Sequence, residues 1–461
     1  MAPTARSYSG EFEPLRLIAR HPERYPGLLE SSAPIGTRIA GGGRFDILPI
    51  SSGECLRLAA DRQLTGPHAG ADGFLTALAA WWHELRMPPS PQLLPFSGGW
   101  LVYLGYELAA EIEPRLRLPP SPDPVIALAI RTPAAWIKDR DTQRSWLIAE
   151  EGYAELLDAF ETHVAAHGGT PACEAPPARP VRLDISEEDT GRFLDASAAA
   201  LEHIAAGEVY QANLSRQWRV AARPPLDPVE LYARLRTSNP SPFAALLRDA
   251  DFSLMSSSPE RLVRVRNGMV STRPIAGTRP RGASPAADEA LGALLLGNEK
   301  ERAEHVMLID LERNDLGRVC EAGSVEVDEY MVLESYAHVH HIVSNIRGRL
   351  RADASPVDVI RALFPGGTIT GCPKVRCMEI IAELEGTGRG AYTGSIGYLN
   401  RDGSCDFNIL IRTLTSLAAA DRTAVNFRAG AGIVADSQPL QELAETRAKA
   451  KGLLRALGAD A

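Results

Sequence analysis

The sequence predicts an α+β fold, and three observations carry that reading. Segments that alternate apolar and polar residues and turn at Gly, Asn or Asp cluster together, as antiparallel strands do: "VYQANLSRQWRV", "FSLMSSSPERLVRVRNGMVSTR" and "AYTGSIGYLNRDGSCDFNILIRTL". Helical patterns fall between these clusters without strict strand–helix alternation, which disfavours a doubly wound sheet. A chain of 461 residues, 45% hydrophobic and 23% charged, has the composition of a globular protein with a large core.

Taken in order, the chain begins with strand-like runs, "GRFDILPI" (43–50) and "GGWLVYLGYEL" (98–108), around the helix candidate "GFLTALAAWWHEL" (73–85). The clearest break in composition is residues 165–189, rich in Pro, Ala and Gly and without a period that would bury a face. It reads as a linker at 169–181 between an N-terminal region, 1–168, and a C-terminal region, 182–461. Beyond it, "SEEDTGRFLDASAAALEHIAAGE" opens on a serine with early acids and helical spacing. "NEKERAEHVMLIDLERNDLGR" and the terminal "QPLQELAETRAKAKGLLRAL" read as two further helices.

Several function classes are disfavoured at this stage. The net charge of −9 argues against general binding to nucleic acid or anionic membrane. No run of about 18 apolar residues is present to span a membrane. Six scattered cysteines without a CxxC pair, and an N-terminus lacking an apolar signal core, lead us to expect a cytoplasmic protein with reduced thiols.

Candidate chemistry lies in a few polar groups. Glu445 and Lys449 are four apart on one helix face, a spacing that in isolation reads as a solvent-exposed ion pair. Glu304 precedes a strongly apolar stretch, and two such glutamates could jointly hold Mg²⁺, a cation that takes hard oxygen ligands and keeps several waters. In "HVHH", a strand would put His338 and His340 on one face and His341 on the other, so one functional histidine fits better than a zinc cluster. "FPGGTITGCPKVRCMEII" lacks the spacing of a nucleotide-binding loop. Its helix start near Pro373, with Thr368 and Lys374 beside it, would suit an anion or be a plain strand-to-helix turn. No glutaminase elbow of the GxCxGxQ type occurs, and Cys372 in "TGCPKV" is a poor substitute.

The C-terminal motifs resemble, in order, those of the chorismate-utilising enzymes that include anthranilate synthase component I and aminodeoxychorismate synthase component I. They are "VYQANLS", "SSSPERL", "TRPIAGTRPRG", "AEHVMLIDLERNDLGRV", "VHHIVS", "FPGGTITGCPKVRCMEII", "YTGSIGYL", "NILIRTL", "AGAGIVADS" and "ETRAKA". The resemblance implies an α/β sandwich of two antiparallel sheets flanked by helices. It implies that Glu304 and Glu445 hold Mg²⁺, and that Tyr392, Arg412, Gly432 and Lys449 grip the two carboxylates of chorismate, with Thr368 and Lys374 nearby. Glu260 matches the general acid for the departing C4 hydroxyl, with His341 beside it and Thr278 lining the same pocket.

Gln211 stands where the water-using isochorismate and salicylate synthases carry a lysine. Ammonia is therefore the implied nucleophile, delivered by a separate glutamine amidotransferase subunit. Ala276 stands where well-known aminodeoxychorismate synthases carry a nucleophilic lysine, which favours anthranilate synthase. The N-terminal "GRFDILP" and "GGWLVYLGYEL", and "VHHIVS", favour the aminodeoxychorismate branch, which has a subclass with the same "PIAGT" spelling. The expectation is therefore aminodeoxychorismate synthesis through a noncovalent 2-amino intermediate, with anthranilate synthesis as the alternative. Glu30, Ser31, Pro242 and Phe243 resemble the two halves of the family's tryptophan pocket.

Overall fold

The computed structural model describes residues 4–32, 43–88, 94–167, 181–335 and 339–459. All of the expected linker except residue 181 lies outside these, as does His338. Among the described residues the strands form two antiparallel sheets, one of 12 strands and one of 11.

Each sheet runs across the division between the two halves of the sequence. In the first, Gly27–Glu30 of the N-terminal half pairs with Phe243–Asp249, which continues through Phe252–Ser258, Thr413–Ala418 and Thr423–Val434 to Gln211–Arg223. In the second, Gly99–Leu104 pairs with Ser395–Asn400, and the far edge is formed by Ile275–Pro280 against Val339–Arg349. Leu101, Tyr103 and Ile396 of one sheet meet Leu247 and Leu254 of the other in the layer between them. Each aliphatic side chain buried this way contributes roughly 1.5–3 kcal/mol.

Helices cover the outer faces. Phe160, Tyr232 and Leu453 seal the first sheet, and Phe74, Ile309 and Ile360 the second. The helix Glu299–Gly317 starts where the Asn298 side chain accepts from the Glu301 amide at 3.1 Å. The helix Pro439–Leu457 ends at Gly458 in the left-handed region, φ 83°. One boundary differs from expectation. Ser186 belongs to the strand Arg182–Glu187, and Asp189 caps the helix Thr190–Ala205 by accepting from Gly191 N at 2.6 Å. A carboxylate at the N-terminus satisfies the exposed amides and the helix dipole together, so it displaces the serine upstream.

Two of the places where the chain crosses from one sheet to the other form adjacent corners. One lies between Phe252–Ser258 and Arg261–Arg266, at Pro259 and Glu260; the other lies between Cys405–Asn408 and Thr413–Ala418, at 409–412. The corners are stitched together by Ile409 N donating to Glu260 O (3.0 Å) and Ser257 N donating to Arg412 O (3.1 Å). Glu260 and Arg412 are thus held as neighbours although 152 positions separate them.

Candidate active site

A cavity of about 420 Å³ opens beside these corners. Twelve residues expected at a site line it: Gln211, Glu260, Ala276, Thr278, Glu304, His341, Thr368, Tyr392, Arg412, Gly432, Glu445 and Lys449. The geometry explains what each can do.

Glu260 is buried at its corner, and burial pushes its carboxyl up to about 7. Thr368, a backbone amide and the Lys449 charge oppose that rise only in part. Its Oε1 has no hydrogen-bond partner, and the Thr368 hydroxyl also lacks an aligned one. A carboxyl poised near neutrality, with an unpartnered oxygen on a residue that lines a cavity, has the properties of a general acid.

His341 sits opposite Thr278 across paired strands, where a bulge between Ala276 and Thr278 places Gly277 at φ 64°. Its Nδ1 lies 3.2 Å from the Gly277 carbonyl and 3.0 Å from the Thr278 hydroxyl. A carbonyl can only accept, so Nδ1 carries the proton and Nε2 is the acceptor nitrogen. Burial, with Arg412 and Lys449 adding positive charge nearby, lowers this ring to about 4 and keeps it neutral. His340 points the other way, between the Ser335 hydroxyl and Asp288 at 2.7 and 2.8 Å. Ala276, buried on the same edge strand, presents only a methyl group.

Arg412 occupies its corner at φ 54°, an uncommon conformation for a non-glycine residue. Burial lowers its pKa, and its Nη1 reaches the Asn239 side chain only at 3.5 Å. A desolvated guanidinium with so weak a partner is suited to a carboxylate ligand. Opposite, Lys449 Nζ donates to Gly430 O at 2.9 Å and pairs with Glu445 at 2.7 Å. Any Cβ at Gly430 would collide with the Tyr392 hydroxyl, and one at Gly432 with the Gln211 amide. Backbone thus forms this wall because side chains from both sides lie on it.

The acidic wall comes from two helices. Gln211 Nε2 donates to Glu304 Oε1 at 3.2 Å. Burial, followed by the like charges of Glu301 and Glu445, pushes Glu304 up to about 7. Glu442 also lines the cavity and is raised, mainly by burial. Such crowding of hard oxygen donors fits a divalent cation of the Mg²⁺ kind. Among the described residues no three His, Cys, Asp or Glu converge to hold a metal, so ligand positions beyond the glutamates would fall to water and substrate.

Glu301, Glu442 and Asn213 are cavity residues that the sequence reading missed. The signal for the first two was available: both helices repeat the same three-residue spacing, Glu301/Glu304 and Glu442/Glu445. Asn213 had no signal beyond sharing a strand face with Gln211.

Lys374 is not brought to this cavity. Its ammonium is paired with Asp315 and donates to Leu363 O at 3.2 Å, and it lines a second cavity of about 1030 Å³. The expected tryptophan-pocket residues also lie elsewhere. Glu30 accepts from the Tyr232 hydroxyl at 2.7 Å, Ser31 N donates to Asp46 at 3.2 Å, and Phe243 lies under Arg261 at 4.8 Å. Pro242 precedes Phe243 and lies close to Gly43. These four come together where Gly27–Glu30 pairs with Phe243–Asp249.

Comparison with known proteins adds an independent line. Residues 51–455 match the family described as chorismate binding enzyme. The anthranilate synthase component I-like protein of Synechocystis sp. is 44% identical over 387 residues, covering 83% of this chain and 78% of that protein. Aminodeoxychorismate synthase component 1 of Bacillus subtilis is 41% identical over 396 residues, covering 83% and 82%. The crystal structure of anthranilate synthase component I from Streptococcus pneumoniae TIGR4 superposes with a TM-score of 0.77 at 32% identity, covering 89% of this chain and 92% of that one.

Proposed function

Because the chain belongs to the chorismate-binding enzyme family, we propose that its cavity aminates chorismate with ammonia to give 4-amino-4-deoxychorismate, as an aminodeoxychorismate synthase component I. The observation that carries amination is Gln211, whose carboxamide bonds Glu304 on the cavity wall. An amide has no basic lone pair with which to activate water, whereas ammonia is a nucleophile without help.

In this reading Arg412, Tyr392 and Lys449 bind the two carboxylates of chorismate and fix the ring. Glu260, protonated near neutrality, gives its proton to the departing C4 hydroxyl, since hydroxide itself is a poor leaving group. His341 presents its Nε2 lone pair beside it, held in that tautomer by Gly277. Glu304 and Glu445 would hold Mg²⁺, which when bound offsets the charge of a substrate carboxylate. Ala276 offers no nucleophile, so ammonia adds at C2 and a second ammonia then displaces it through attack at C4. The sequence lacks a glutaminase elbow, and we assign ammonia supply to a separate amidotransferase subunit.

Ala276 and the 44% identity to an anthranilate synthase-like protein support a second reading, in which C2 amination ends in loss of pyruvate. Product analysis with chorismate, Mg²⁺ and ammonium at alkaline pH separates the two. Aminodeoxychorismate, converted by added lyase to p-aminobenzoate, is the expected result. Anthranilate with pyruvate would replace the first reading by the second.

A further inference from the structure

Two carboxylates of the N-terminal half reach the backbone beside Tyr392. Glu107 lies in the turn Tyr106–Leu108, directly after the strand Gly99–Leu104. Its Oε1 accepts from Arg389 N at 2.7 Å, and Oε1 and Oε2 both accept from Gly390 N at 3.2 Å. Asp123 continues the series: its Oδ2 accepts from Ala391 N at 2.8 Å, and its Oδ1 from the Thr415 hydroxyl at 3.0 Å. Three consecutive amides, 389 to 391, therefore end on two buried carboxylates. Tyr106 N closes the clamp by donating to Gly390 O at 2.8 Å.

The next residue is Tyr392. Its ring lies 5.6 Å from the Arg389 guanidinium, which is itself fixed by Glu385 at 2.6 Å. Its hydroxyl reaches the cavity wall at Gly430.

We infer that Glu107 and Asp123 are positioning residues that hold the Tyr392 phenol at the substrate cavity by clamping the backbone of residues 389–391. This rests on the reading of the cavity as a chorismate site. The physical case is one of preorganisation. A group that grips a ligand must be held within about 0.5 Å by supports that are themselves locked. Three adjacent buried amides with no other acceptors would otherwise be unsatisfied, and the turn would rearrange to repair them. The acceptors come from the N-terminal half, so that half contributes to substrate binding although its own residues stay outside the 420 Å³ cavity. Glu107 and Asp123 both have raised pKa values, chiefly from burial, as expected of acids kept dry for a structural task.

The test is steady-state turnover of chorismate with ammonia by the full chain, comparing wild type with Glu107→Met, Asp123→Ala and Tyr392→Phe, and with Glu107→Met combined with Tyr392→Phe; the first two remove the accepting oxygens altogether. Each clamp variant should raise KM for chorismate about tenfold while kcat changes less than about threefold. In the Tyr392→Phe background Glu107→Met should add less than about twofold, because the clamp acts on substrate only through the Tyr392 hydroxyl that Tyr392→Phe has removed. An unchanged KM in both clamp variants of an active enzyme overturns the inference. An equal and additive rise in the double variant does so too, since Glu107 would then act independently of Tyr392. Failure of both clamp variants to yield folded protein assigns the pair to stability alone and also overturns it. A wild type that does not consume chorismate defeats the functional reading itself, a result visible before any variant is measured.

Discussion

Two cavities share the helix Glu299–Gly317 as a wall, and they differ in what their polar groups are doing. The larger, about 1030 Å³, is lined by Val306, Met307, Phe364 and Met378, and of its two lysines Lys374 is already neutralised by Asp315. The smaller, about 420 Å³, is lined by four residues that each bury a polar atom without a partner: Gln211 Oε1, Asn213 Oδ1, Glu260 Oε1 and Thr368 Oγ1. Buried polar atoms are almost always satisfied, so four orphans around one space mark where a polar ligand belongs. Volume is the poorer guide of the two. An apolar cavity gains from filling, whereas an unsatisfied one also recovers hydrogen bonds forgone in folding.

The sharpest way to break this contrast is at the acidic wall. Glu304→Gln and Glu445→Gln should each abolish Mg²⁺-dependent turnover, measured as chorismate consumption across a Mg²⁺ titration. Activity retained in either would move the metal elsewhere. Next in size, Glu260→Gln should lower kcat by about 10²–10⁴, the usual contribution of a positioned acid, with KM little changed. A smaller effect is expected from pH. The proposed mechanism needs Glu260 in its acid form, and its pKa is raised to about 7. Rates expressed per free ammonia should thus fall about tenfold per unit above that pH and level off below it. A profile flat to pH 9 would take the proton from another group. Smallest of all, Val306→Ala, in the larger cavity, should change KM for chorismate less than about twofold; a large rise would mean that the substrate extends there.

How much of this was legible in the sequence depends on the range of the interaction. Strands and helices declared themselves through periods of two and 3.6, and the bounds of Glu299–Gly317 and Pro439–Leu457 agree closely with the patterns that predicted them. Convergence of Glu260, Arg412 and Glu304 left no local trace, because it is made by strand pairings between distant segments. Only the ordered series of family motifs carried it. Lys374 shows the cost of local reasoning. The helix Lys374–Glu385 does begin where Pro373 suggested, so an anion site looked reasonable. Its charge is consumed by Asp315, 59 positions earlier, and no spacing rule anticipates that pair. The role of "GYEL" was illegible for the same reason, since Glu107 meets its partners some 280 positions later.

The twin corners at Pro259–Glu260 and 409–412 have a consequence for inheritance. Glu260 and Arg412 each lie one step from where the chain changes sheets, and the corners are registered against each other by backbone hydrogen bonds. Gaining or losing a single codon in either flanking strand would swing Glu260 or Arg412 to the opposite face of the sheet. Working descendants of this gene should therefore tolerate insertions in the exposed turn at 419–422 but keep the lengths of 252–266 and 405–418 fixed.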